Sequence, residues 1–151
     1  MRILGHPEVA SWLRPSEPDA RPVPERVREH LAEQAAQLEE RGLCLWWWRE
    51  RSSGELVGRV GLNSTEVEGE QVIEVGWAVD PERWGEGFAS EAAAASVRWG
   101  FERGGLDEIV AFALPHNVAS RRVMEKLGMA YDRPIDRMGL EHVLYLLRAD
   151  R

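Results

Sequence analysis

The stretch Val79-Asp80-Pro81-Glu82-Arg83-Trp84-Gly85-Glu86-Gly87-Phe88-Ala89-Ser90-Glu91-Ala92 marks the point at which the chain changes character. The run before it, Gln71 to Val79, alternates. Ile73, Val75, Trp77 and Val79 fall on one face, and Val72, Glu74, Gly76 and Ala78 on the other, as in a strand. After it, an alanine-rich segment from about Ser90 to Arg103 reads as a helix that Gly104-Gly105 ends, and Glu108 to Leu114 reads as another strand. Strand, helix and strand at this spacing predict a parallel pair.

Working upstream, Leu43 to Arg49 and Leu56 to Leu62 predict two further strands around the turn Arg51-Ser52-Ser53-Gly54. With the Gln71–Val79 strand they form an antiparallel meander. Within the first of them Trp46, Trp47 and Trp48 cannot share a face: if Trp47 packs the core, its two neighbours point away, or the reverse. Two helices precede the meander, a short one entered at Pro7 and a longer one from about Glu25 to Arg41. In the longer helix Val27, Leu31, Ala35 and Leu38 recur at helical spacing. The Pro-rich segment Arg14 to Pro24 separates them. Downstream, Asn117 opens a helix closed by Gly128, and strand character returns at Met129-Ala130-Tyr131 and at His142 to Leu147. The expected fold class is therefore α/β, a mixed and mainly antiparallel twisted sheet with flanking helices and one parallel crossover, in a single domain over residues 1–151.

A Gly-rich turn between a strand and a helix suits a pyrophosphate. The first backbone N–H groups of a helix have no intrahelical partner, the dipole adds positive charge there, and glycine lets a phosphate come close. Alone, the turn is a weak signal, and a plain helix entry is the alternative. A dinucleotide-binding turn follows its strand at once, whereas Asp80 to Trp84 intervene here. The acid expected after the next strand is also absent, since Leu114-Pro115-His116-Asn117 stands there. The lysine and hydroxyl of a P-loop are missing too.

The two segments Val79 to Ala92 and Asn117-Val118-Ala119-Ser120-Arg121-Arg122-Val123-Met124-Glu125-Lys126-Leu127-Gly128-Met129, separated by one helix and one strand, together resemble the GNAT acetyltransferase superfamily. They are most similar to its branch of ribosomal-protein N-terminal acetyltransferases, and His6 to Leu13 looks like that family's first helix. The resemblance implies acetyl-CoA as acyl donor, an amine as acceptor (a protein N-terminus or a small molecule), and direct attack in a ternary complex. Three departures stand out. Trp84 replaces the Gln or Arg common in the superfamily, Met124 stands where a proton-donating tyrosine is common, and only Met1 to Leu4 precede the first helix, where a first strand is normal.

The resemblance implies roles residue by residue. Backbone amides of Trp84, Gly85, Glu86, Gly87, Phe88 and Ala89, with Ser90, would hold the pyrophosphate. Ala78 and Val79 would line the pantetheine and thioester, with a splayed-strand N–H facing the carbonyl oxygen. Asn117 would bond the pantetheine arm, or serve as a helix N-cap, or both. Glu74, a lone carboxylate in an apolar strand, reads either as the general base or as a solvated cross-strand residue. Ser120, one turn after Asn117, reads as proton donor to the thiolate or as packing. Tyr131 is a further donor candidate, and His116 a loop histidine that nothing orients. The variable acceptor loops would be Arg14 to Pro24 and the hairpin near Pro134 to Gly139. A chain keeping the turn and Asn117 without a working base would instead be an acyl-CoA-binding or sensing module.

Composition sets outer bounds. The formal net charge of −7 argues against a nucleic-acid partner. No apolar run approaches the roughly 20 residues that span a bilayer, and Met1 to Pro7 lack a signal peptide's apolar core. A single cysteine, Cys44, excludes an internal disulfide, and His6, His30 and His142 are too scattered to suggest a metal site. A cytoplasmic setting is expected, and an exposed tryptophan face would permit a homodimer.

Overall fold

The structure, a computed structural model, describes residues 3–13 and 23–150. Four helices, α1 (Pro7–Leu13), α2 (Val23–Arg41), α3 (Phe88–Glu102) and α4 (Val118–Lys126), accompany six strands: β1 (Leu45–Arg49), β2 (Leu56–Val67), β3 (Glu70–Val79), β4 (Glu108–Ala113), β5 (Ala130–Arg137) and β6 (Leu140–Arg148). The strands form one sheet in the order β1-β2-β3-β4-β6-β5. The meander β1-β2-β3 is antiparallel, β3 and β4 are parallel, and β4-β6-β5 are antiparallel. The mixed α/β class, the single parallel crossover and the closing hairpin all match the expectation. Among the described residues no strand precedes α1, and the expected acceptor segment at residues 14–22 lies outside them.

The larger core packs α3 and α4 on one face of the sheet. Ala92, Ala93, Val97 and Met124 meet Val60, Leu62, Val75, Ile109 and Ala111 there. The opposite face carries a smaller apolar cluster, Val67, Val110, Ile135 and Leu144. Glu74 lies on that second face, because it pairs with Asn63 and sits between Val75 and Ile73 of the first. Trp48 packs against the main core and its indole N–H donates to the Val60 carbonyl at 3.0 Å, while Trp46 and Trp47 stay exposed on the edge strand β1.

One feature goes beyond the sequence reading, and three expectations after it need correction. The apolar stripe of α2 does not face the core: Leu31 and Leu38 are exposed, and the helix buries Gln34 instead. The reason is backbone satisfaction. β2 runs past Leu62 to Val67, beyond the last β1 pair at Leu45–Gly61, so one edge of β2 lacks a strand. Gln37 supplies what is missing there, accepting from the Ser64 N–H at 2.8 Å and donating to its carbonyl at 3.1 Å. Gln34 accepts from the Leu45 N–H at 2.7 Å. First, Leu43 and Cys44 precede β1 rather than belong to it. Second, β5 extends through Pro134, which an edge strand tolerates, so the last hairpin turns only at Met138-Gly139. Third, His116 is not unoriented, since the Trp12 ring packs against it with centroids 5.2 Å apart.

Candidate active site

β3 and β4 share one registered pair, Glu74 with Val110. Beyond it the strands part around a cleft of about 1650 Å³. Gly76, Trp77, Ala78 and Val79 of β3 line it, with Phe112 and Ala113 of β4 and the N-terminal residues of α3 and α4. A parallel pair that opens in this way leaves β3 backbone groups without a strand partner inside a cavity, where a ligand can use them.

At one end stands the glycine turn. Gly85 and Gly87 have φ of 82° and 91°, the left-handed region, and a Cβ on either would meet no atom within 4 Å. Gly87 is the N-cap of α3, and no side chain caps that helix. The first bond of its ladder runs from the Glu91 N–H to the Gly87 carbonyl, so the N–H groups of Phe88, Ala89 and Ser90 lie ahead of it. Trp84, Gly85, Gly87, Phe88, Ala89 and Ser90 line the cleft. Glu86 does not: its carboxylate is engaged by Arg83 at 3.1 Å, which leaves its backbone N–H as the only group it could offer. The turn is braced from outside. Arg83 also pairs with Glu50 at 2.9 Å and lies over the Phe88 ring, and the Trp84 indole donates to the Val79 carbonyl at 2.9 Å.

Asn117 is buried and caps α4, its side-chain oxygen accepting from the Ser120 N–H at 3.1 Å. The capping alternative is thus realised, and the carboxamide NH₂ remains for a ligand. The Ser120 hydroxyl accepts from the Trp77 indole N–H at 3.3 Å. The hydroxyl keeps its own O–H as a donor. Both residues line the cleft, as do Ala78 and Val79.

Glu74 occupies the other end. Four residues before Ala78, it lies about 13 Å along the strand at ordinary rise. Burial pushes its carboxyl up from 4.5 to about 7, against the opposing influence of the Arg137 charge, an Asn63 hydrogen bond and the Arg59 charge. The neighbours form a chain: Gln34 donates to Asn63 at 3.3 Å, and Asn63 bonds Glu74 across the β2–β3 pair.

Comparison with known proteins places this geometry. Residues 1–130 match the family described as "Acetyltransferase (GNAT) domain". The chain belongs to the GNAT acetyltransferase family. An N-acetyltransferase of Bacillus subtilis, YnaD, is 44% identical over 61 residues, which cover 40% of this chain and 36% of that protein. The chain spans about a third to a half of the length of the curated relatives it matches. The structure superposes on a ribosomal-protein-S5-alanine acetyltransferase from Vibrio fischeri with a TM-score of 0.73 at 22% identity, over 95% of this chain and 81% of that one. It also superposes on a ribosomal L7/L12 alpha-N-protein acetyltransferase solved with coenzyme A, with a TM-score of 0.64 at 18% identity, over 82% and 72%. At such identities the two structures show the shared fold.

Within the GNAT frame, one departure and one donor candidate gain a physical account. Met124 is 1% exposed and packs in the main core, so its side chain fills the interior and does not line the cleft. Tyr131 is exposed on β5 and lines a separate surface depression with Gly128 and Leu147, which removes it as a donor candidate. The Cys44 thiol lines the cleft, and burial pushes it up, against the charge of Arg59, so it is held protonated and poorly nucleophilic.

Sequence reasoning missed Asn63, Gln34, Trp77, Arg59 and Arg137 as parts of the site. Asn63 and Arg59 could have been found by counting cross-strand partners of Glu74 and Ala78. Nothing local marks Gln34 or Arg137. The cleft is also more basic than the chain. Arg59, Arg83, Arg122, Lys126 and Arg137 line it against Glu33 and Glu74, in a protein of net charge −7. Among the described residues no group of three or more His, Cys, Asp or Glu is placed to hold a metal ion, and no helix is long and apolar enough to cross a membrane.

Proposed function

We propose that the chain transfers an acetyl group from acetyl-CoA to a primary amine, by direct attack in a ternary complex. One observation carries this reading: a single cleft has an uncapped glycine-turn helix at one end and a carboxylate held at about 7 at the other. An anion-binding helix start alone would serve a binding module. A base poised near neutrality serves proton removal.

The residues divide the work as follows. Backbone N–H groups from Gly85 to Ala89 take the pyrophosphate, with Ser90 beside them; the Trp84 N–H, expected to join them, donates instead to the Pro81 carbonyl at 3.2 Å, and the Asn117 carboxamide bonds the pantetheine arm. Glu74 takes a proton from the acceptor ammonium, through water given its distance along β3, so that the free amine can attack the thioester carbon. An unpaired N–H of β3 near Ala78 and Val79 stabilises negative charge on the carbonyl oxygen as it develops. Ser120, its oxygen held by Trp77, donates its proton to the departing thiolate and is reprotonated from water. The acceptor is a small-molecule or peptide amine.

Calorimetric titration with acetyl-CoA and with NAD, followed by thiol release across amines, polyamines and N-terminal peptides, tests the reading. Acetyl-CoA binding with thiol release for at least one acceptor class is expected. Binding of NAD alone, or acetyl-CoA binding with no thiol release across the whole panel, overturns it, the second outcome in favour of a sensing module.

A further inference from the structure

The acceptor end of the cleft holds a cation that the transfer steps do not use. Arg137 closes β5 against Leu140, lines the cleft half-buried, and its guanidinium lies over the Phe112 ring at 4.1 Å. One of its N–H groups donates to the Glu66 carbonyl at 3.0 Å. Stacking and this bond fix the plane of the fork and leave further donors to spend.

No carboxylate among the described residues lies within ion-pair distance of it. Three other arginines are ion-paired. Arg83 at the donor end pairs with Glu50, Glu55 and Glu86; Arg133 pairs with Asp132 and Glu68; Arg148 pairs with Glu108. In a chain with 26 acidic and 19 basic residues, acids for an arginine are plentiful. Glu74 feels the Arg137 charge but forms no ion pair with it, so a half-buried guanidinium over an aromatic face keeps donors for an anion from outside. The basic lining of the cleft points the same way, since a concave surface of one sign concentrates ligands of the other.

Its position names the ligand. Arg137 sits on the Glu74 side of the cleft, remote from the glycine turn, with Phe112 and His142 in edge contact beneath. We infer that the acceptor is an amine carrying a carboxylate a few atoms away, its amine directed to Glu74 and its carboxylate to the Arg137 fork. A free amino acid and a peptide with an acidic second residue share that chemistry. The inference rests on the transfer reading for the amine and on Arg137 alone for the carboxylate.

Paired acceptors differing in one carboxylate provide the test: phenylalanine against phenylalaninamide, compared by binding because the amide also makes the amine less basic, and Ala-Asp-amide against Ala-Asn-amide, compared by binding and by rate. Each is titrated by calorimetry into the protein saturated with coenzyme A, and each is assayed for thiol release with acetyl-CoA, using the native chain, Arg137→Gln and Arg137→Lys. The native chain should favour the carboxylate of at least one pair by about tenfold or more. The pair that shows it identifies the source. Arg137→Gln should bring the ratio to about one, and Arg137→Lys should keep part of it, as a point charge without the fork. The ratio is the readout because Arg137 also acts on Glu74, an effect common to both members of a pair. A native ratio of one in both pairs, a ratio unchanged in Arg137→Gln, or no measurable binding of any carboxylate probe overturns the inference. A binding preference without thiol release upholds the anion site and removes the transfer reading instead. Should Arg137→Gln fail to fold, the native ratio and Arg137→Lys still decide.

Discussion

At the glycine turn, the groups offered to a ligand are backbone N–H groups of consecutive residues, from Gly85 to Ala89, set by two left-handed glycines and a helix start, the Trp84 N–H being spent on the Pro81 carbonyl at 3.2 Å. At Glu74 they are side chains drawn from α2, β2, β3, β4 and β5: Gln34, Asn63, Glu74, Phe112 and Arg137. The first end is local in the chain and the second is not. The first binds by fixed dipoles that no pH change within reach can titrate. The second depends on one proton whose affinity three neighbours and a degree of burial decide. The two ends should therefore fail separately.

The sharpest separation comes from Glu74→Gln. If Glu74 removes the acceptor proton, kcat/KM should fall by about 10²- to 10⁴-fold, with acetyl-CoA affinity unchanged. The native rate should rise with pH through about 7 and level off above it, as the carboxylate ionises, and the variant should lose that limb. Thiol release across pH 5 to 9 and calorimetry with acetyl-CoA read both effects. A fall in acetyl-CoA affinity of the same size as the fall in rate would mean that the two ends are one.

The same substitution should stabilise the fold. The folded state holds the Glu74 proton up to about 7, whereas an unfolded glutamate releases it near 4.5. Between those values the native state binds more protons, so stability falls as pH rises through the window and stays low above it. The shift corresponds to about 3 kcal/mol, reduced by whatever solvent reaches a half-buried side chain. Unfolding free energies from denaturant titration at pH 8 should rise by about 1–3 kcal/mol in Glu74→Gln and move little at pH 4. A base kept at a cost to the fold is a functional group. Equal stability at both pH values would make it a solvated one.

This asymmetry also explains what could be read from the chain alone. The strand alternation of Ile73 to Val79, the glycine turn, the alanine helix and the Asn117 helix are short-range patterns, and each forecast element is present. The donor end follows from them because its ligating groups are the backbone of those same elements. The acceptor end does not. Its face of Glu74 was legible from period two, but its partners depend on register, as Asn63 does, or on which side of α2 meets the sheet. Apolar periodicity shows the α2 helix but not its buried side, because the helix is held by the unmet hydrogen bonds of Leu45 and Ser64 rather than by Leu31 and Leu38. Arg137 was masked by an expected loop that proved to be an edge strand running through Pro134.

At the donor end, Gly87→Ala should raise the dissociation constant for acetyl-CoA about tenfold. Its φ of 91° costs an L-residue about 1–2 kcal/mol, although no protein atom would touch the new Cβ. Calorimetry measures the loss. The pH midpoint of the rate should stay at the native value, since no group of the turn bears on Glu74. A moved midpoint would break the independence of the two ends.

The smallest effect belongs to Asn63→Ala, and it asks how the acceptor end is held. Asn63 bonds Glu74 and is itself held by Gln34, which also accepts from the Leu45 N–H. Its hydrogen bond favours the ionised carboxylate, so its loss should move the rate midpoint upward, by about one unit or less. The rate at pH 7 should then fall several-fold and be recovered near pH 9, where Glu74 ionises without help. A positioning role predicts that recovery, because the base itself is intact. A loss that persists at pH 9 would instead mean that Asn63 aims the carboxylate, and that geometry rather than ionisation limits the reaction. Asn63→Asp separates the two further: it keeps the shape of the side chain but sets a like charge against Glu74, so it should push the midpoint higher than alanine does while sparing the rate at pH 9.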